Sequence, residues 1–157
     1  MTKTTILALT LCFFGSDALA QKADFTATPV QLTVNPCTLV TKAEAEHVIG
    51  ASVIQGLGAN GHVCTYTANG NGGIVSVQET TPDFCKILFT VLKQNMFGGA
   101  QVRADVGQGG MQVKGGGNVQ FVVAGGCLEI NATKGDKKVD DAIVLAMAKT
   151  ATGRVAP

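Results

Sequence analysis

The chain has 157 residues, and its 12 Lys and Arg nearly balance 11 Asp and Glu, leaving a formal net charge of +1. No basic stripe exists to neutralise phosphates, and stacking aromatics are scarce, with no Trp and a single Tyr, which sets nucleic acid aside as a partner. Length and a hydrophobic content of 46% suit one domain with a real core.

Residues 1–20, MTKTTILALTLCFFGSDALA, read as a secretory signal peptide. A lysine-containing start is followed by the apolar run ILALTLCFF and the small-residue site Ala18-Leu19-Ala20, so cleavage is expected before Gln21. The apolar run is shorter than the roughly 20 residues that span a bilayer, so no membrane span is expected after cleavage. Cys12 follows Leu11, where lipid attachment needs a small residue, and belongs to the discarded segment. Cleavage removes Lys3 and Asp17 together and leaves the net charge unchanged. A periplasmic or secreted location is the expectation.

Residues 21–36 are polar, carry two prolines and show no sustained period. They read as an extended leader that docks late or not at all. Residues 37–157 form the expected single domain. Thr41-Lys42-Ala43-Glu44 has the form of a capping box, predicting a helix from Lys42 to Ile49 with Val40, Ala45, Val48 and Ile49 inward and Gly50 as its stop. The period then shortens. Ser52–Gln55, His62–Ala68 and Ile74–Glu79 read as strands, the last two joined by the Asn-Gly cluster of residues 69–73. Pro82 opens a second helix whose broad apolar face, including Phe84, Cys85, Leu88, Phe89, Val91, Leu92 and Met96, predicts the deepest burial, with Gly98-Gly99 as its stop.

Four further strands follow, Gln101–Val106, Gly110–Val113, Asn118–Val123 and Cys127–Thr133, separated by glycine-rich turns. A last helix is predicted over Lys138–Thr152, capped by Asp136. Its inward stripe is read as Val139, Ala142, Ile143, Ala146, Met147 and Thr150. The fold class is therefore α+β, order α-βββ-α-ββββ-α, with short turns making the sheet antiparallel and the helices gathered on one face.

Four cysteines survive processing: Cys37, Cys64, Cys85 and Cys127. In an exported chain they read as two disulfides, since no C-x-x-C pair suggests zinc. Three connectivities are open. A loose internal duplication, with a helix-associated cysteine and then a strand cysteine in each half, favours Cys37–Cys64 and Cys85–Cys127.

The loudest motif is Gly56-Leu57-Gly58-Ala59-Asn60-Gly61, a literal G-x-G-x-x-G with Glu79 near the position of a ribose-binding acid. The fingerprint needs a helix immediately after it to receive the pyrophosphate, and the strand-like His62-Val63-Cys64-Thr65 follows instead. It reads as an inter-strand loop, and no cofactor is expected. Catalytic candidates are thin. Ser76 lies between valines rather than in a nucleophile turn, which leaves a Ser76–His62 hydrolase as a minor reading. Glu44 and His47, with His62 as a third ligand, form the best metal set, and two neighbouring side chains on a helix do not make a site. Asp105, Glu129 and Glu79 are the strand carboxylates that a glycosidase would need to pair. Asn131-Ala132-Thr133 is a glycosylation sequon.

The stretch Pro36-Cys37-Thr38-Leu39-Val40-Thr41-Lys42-Ala43-Glu44-Ala45, followed by Val48-Ile49-Gly50-Ala51-Ser52-Val53, resembles the opening of a set of small exported bacterial cell-envelope domains of unknown function. Cys64-Thr65-Tyr66 matches their second cysteine, and the Gly107–Gly110 turn, the Val-rich strand and the closing helix also fit. The resemblance, to lipoprotein and extracellular sensor-like domains, implies an α+β domain with a Cys37–Cys64 bridge and no established activity. Cys85 and Cys127 are extra, and the lipid-attachment cysteine is missing. The expectation is a non-catalytic module that binds a small ligand or a protein in the concavity between sheet and helices. The alternative is a hydrolase inhibitor projecting Gly107–Gly110 or Gly56–Gly61.

Overall fold

The computed structural model describes residues 25–70, 72–94 and 100–155. The expected signal peptide, the first leader residues, Asn71, Met96 and the Gly98-Gly99 stop lie outside the described residues.

A 3-10 turn over Pro36–Thr38 leads into helix α1 (Lys42–Ile49) and then strands β1 (Val53–Leu57), β2 (Val63–Ala68) and β3 (Ile74–Thr80). Helix α2 (Pro82–Gln94) precedes β4 (Ala100–Arg103), β5 (Gly109–Val113), β6 (Asn118–Val123) and β7 (Gly126–Lys134). A two-residue strand β8 (Lys137–Lys138) and helix α3 (Asp141–Thr152) complete the order. The α+β class and the antiparallel sheet stand as expected. The strands lie in the order β1-β2-β3-β7-β6-β5-β4, with β8 paired to β7.

The capping box sets the start of α1 as its chemistry requires. The Glu44 N–H donates to the Thr41 hydroxyl at 3.3 Å, and the Glu44 carboxylate accepts from the Thr41 N–H at 2.7 Å. Gly50 ends the helix at φ 75°, and its N–H donates to the Glu46 carbonyl at 2.7 Å.

Strand alternation gives the sheet two distinct faces. The front carries Cys64 and Tyr66 of β2, Val75 and Val77 of β3, Leu128 and Ile130 of β7, and Val119 and Phe121 of β6. Ala45 and Ile49 of α1 and Val144, Met147, Ala148 and Ala151 of α3 close over them in one buried cluster. The back carries Val122 and Cys127, which cluster with Cys85, Leu88 and Phe89 of α2. The helices are therefore divided, α1 and α3 in front and α2 behind, rather than gathered on one face. The reason is local: β6 and β7 present buried side chains to both sides, and a sheet that is apolar on both faces needs two covers.

Both disulfides form in the favoured pairing, Cys37–Cys64 in front and Cys85–Cys127 behind, closing sequence separations of 27 and 42 residues. The duplication that favoured them does not extend to the whole fold. Its halves put their first helices on opposite faces, and Cys64 lies on a strand next to the edge while Cys127 lies on a central one.

Three further expectations differ. The leader is docked from Phe25 onward: Phe25 stacks edge-on against Phe89 at 5.4 Å, Leu32 is buried, and the Val30 N–H donates to the Gly125 carbonyl at 3.0 Å. The last helix starts later, with Asp140 rather than Asp136 as its cap, because residues 137–138 are taken up by the β8 hairpin. Its buried residues are Val144, Leu145, Met147, Ala148 and Ala151; of the expected stripe Met147 is among them, while Ala142, Ile143, Ala146 and Thr150 face outward. Nor is α2 the most buried helix, since Phe84 and Ile87 are 66% and 59% exposed.

Candidate functional site

Those two exposed side chains belong to a cleft on the back of the sheet. Helix α2 contacts β5 and β7 and leaves an opening of about 510 Å³ along its side. Phe84, Ile87, Leu88 and Val91 form its apolar wall. The floor is one transverse row of the sheet, Gln78 of β3, Glu129 of β7, Gln120 of β6 and Met111 of β5, set side by side by the strand register. Thr80 and Cys127 form the adjoining row, and Thr81 completes the lining. Size and lining match a ligand pocket, mostly apolar with a few convergent polar groups.

Among the described residues, Glu129 is the single ionisable group in that lining. Its Oε2 accepts from the Gln120 amide at 3.1 Å, and it has no ion pair among the described residues. One row further along β7, the buried Asn131 Oδ1 also lacks a hydrogen-bond partner among the described residues. This places the Asn131-Ala132-Thr133 sequon within a central strand, with Asn131 partly buried.

The front face holds a second polar pair. Glu79 is only 4% exposed, and its Oε2 lies 2.6 Å from Nδ1 of His62. The Glu79 N–H also donates to the His62 carbonyl at 2.8 Å, while Oε1 finds no partner among the described residues. This pair tethers the β1–β2 hairpin. Gly56 and Leu57 of the glycine fingerprint are β1 residues, and Gly58–Gly61 is a tight turn closed by the Gly58 N–H to the Val63 carbonyl at 2.7 Å. A hairpin offers no helix N-terminus for a pyrophosphate. The fingerprint is a turn.

The remaining sequence candidates are kept apart by the same alternation. Ser76 faces the back, opposite Asn131, whereas His62 is bonded to Glu79 in front, so the sheet separates nucleophile from base. Glu79 and Glu129 also lie on opposite faces, and Asp105 is paired with Arg103 and Lys149, so no two of these carboxylates flank a common bond.

Of the Glu44, His47 and His62 set, Glu44 is taken up by other partners. Arg154 grips its two carboxylate oxygens at 2.7 Å each, and Thr41 donates to the same group. The Arg154 hydrogen bond, reinforced by those from Thr41, holds the Glu44 carboxyl well below the ordinary range, at about 2. Among the described residues, no group of three His, Cys, Asp or Glu side chains converges as a metal site.

Glu44 and His47 instead edge a groove of about 580 Å³ between α1 and α3, walled by Val48, Ile143, Ala146 and Met147. Arg154 also donates to the Leu39 carbonyl at 2.8 Å, locking the end of α3 to the entrance of α1.

The Gly107–Gly110 turn is exposed at Gly107 and buried at its far end. At Gly107, with φ 53°, a Cβ would sit 2.3 Å from the Val122 carbonyl oxygen, and Gly109 and Gly110 are buried.

Sequence reasoning named Glu129 only as a strand carboxylate and missed Gln78, Gln120 and Met111. The available signal was alternation: in Gly126-Cys127-Leu128-Glu129-Ile130-Asn131-Ala132-Thr133 the even positions are all apolar, so Glu129 and Asn131 must share the face of Cys127.

Among the described residues, no helix is long and apolar enough to cross a membrane. Two disulfides fit an oxidising compartment. No family model, curated protein or solved structure matches the chain.

Proposed function

We propose that this is an exported, non-catalytic cell-envelope protein, periplasmic or secreted, that binds a small ligand in the cleft between α2 and the back of the sheet. The observation that carries the reading is the cleft itself: a preformed space of about 510 Å³ with an apolar helix on one side and a polar row of sheet side chains beneath. The secretory leader and the two disulfides support export. The resemblance to envelope sensor-like domains agrees with a binding role.

Catalysis has no such support. The cysteines are consumed in disulfides, and Ser76 and His62 are on opposite faces.

The test is native mass spectrometry of the mature protein after incubation with a small-molecule extract of bacterial envelopes. A discrete bound mass is expected for the wild type, with none for Gln78→Trp, which places an indole at the exposed edge of the cleft. No bound mass, or the same mass in both proteins, would contradict the reading.

A further inference from the structure

The lining of the cleft specifies more than shape. Among the described residues its only charge is the Glu129 carboxylate, which has no cationic partner there. Gln120 uses its N–H to reach Glu129, which leaves the Gln120 amide oxygen as an acceptor. Gln78, directly across the pairing from Glu129, adds a second amide within the same row. The floor thus presents a negative charge with a glutamine on either side in the row. Phe84, Ile87 and Val91 of α2 stand over it, with Phe84 and Ile87 largely uncovered. A carboxylate under an apolar wall is stabilised by a cation that arrives with its own hydrogen-bond donors.

We infer that the cleft is a site for amphipathic primary amines, with the ammonium seated on Glu129 between Gln78 and Gln120 and the apolar body lying along Phe84, Ile87 and Met111. An ammonium has three N–H donors and no acceptor, which matches a carboxylate whose glutamine neighbours each carry an acceptor oxygen. The aromatic face of Phe84 and the thioether of Met111 suit a flat or branched apolar body. An anionic ligand would meet the charge of Glu129 with nothing to offset it. This inference rests on the cleft being the binding site.

The experiment is an amide NMR titration of the mature protein with three matched probes: 4-phenylbutylammonium, 4-phenylbutanol and 4-phenylbutanoate. The amine is expected to shift the resonances of residues 78, 120 and 129, to bind at least about tenfold more tightly than the other two, and to lose that advantage in Glu129→Gln. Its affinity in the wild type should also fall with added salt while that of the alcohol does not, a readout independent of how well the variant folds. If the alcohol or the acid binds the cleft as well as the amine does, the cleft remains a binding site and the amine assignment is overturned. If no probe shifts the cleft, or all shifts fall on Ala43 and Ile143 in the α1–α3 groove, both the assignment and the cleft reading fail.

Discussion

The two faces of one sheet are built to different standards. In front, α1 and α3 close over a continuous buried cluster, and the polar groups that enter it are mostly matched. The buried Tyr66 hydroxyl is bonded to the carbonyls of Val40 and Cys37, Gln112 donates to the Asp141 carbonyl at 2.7 Å, and Arg154 ties α3 to α1. Behind, among the described residues, a single helix covers part of the sheet, Phe84 and Ile87 stay exposed, and the Glu129 carboxylate has no counter-ion. Packing of the first kind supports a unique fold. Surface of the second kind leaves room for a ligand, as proposed above.

The largest contrast is expected from truncation on each side. Phe121→Ala empties the front core and should cost about 3–5 kcal/mol in denaturant unfolding. Phe84→Ala on the back should stay within about 0.5 kcal/mol, because an already exposed ring loses little. Equal losses at the two positions would erase the distinction between the faces.

The disulfides sharpen it. Replacing either pair by alanines should cost about 2–5 kcal/mol. Only loss of Cys85–Cys127 should also weaken ligand binding, because that bond fixes α2 above the floor of the cleft. Unfolding and binding measured on both double variants separate the two effects.

A smaller effect belongs to the front alone. The Glu44 carboxyl is held at about 2 by Arg154 and Thr41, so its contribution is present above the ordinary carboxylate range and is lost as pH falls from about 4.5 towards 2. Both partners are partly solvated, which limits the contribution to about 1 kcal/mol. Arg154→Gln should flatten the stability profile in that acid window and leave it otherwise parallel to the wild type. Tyr66→Phe, which leaves the Val40 carbonyl without its phenolic donor, should cost about 1 kcal/mol at all pH values below the tyrosine range.

Much of this division was readable where the chemistry is local. The Thr41–Glu44 capping box sets α1 to the residue, Asn118–Val123 is one strand as read, and the glycine turns sit between strands. What was not readable depends on distant partners. Helix α3, Asp-Ala-Ile-Val-Leu-Ala-Met-Ala-Lys-Thr-Ala-Thr, is apolar around most of its circumference, so periodicity alone does not choose between the stripe starting at Val144 and the one starting at Ala142. The docked leader depends on Phe89 and Gly125, far along the chain. The cleft has no motif, because its floor draws one residue from each of four strands, and Gln78 joins Met111, Gln120 and Glu129 only through the long-range β3–β7 pairing. The glycine fingerprint, by contrast, is all motif and no site.

The central claim is that the front face holds the fold while the back face holds the ligand. The double variant Phe84→Ser, Ile87→Ser tests it most directly when unfolding free energy and 4-phenylbutylammonium affinity are measured on the same preparation. Stability within about 1 kcal/mol of the wild type is expected, together with a loss of affinity of about tenfold or more. A variant that is strongly destabilised yet still binds the amine as the wild type does would contradict it.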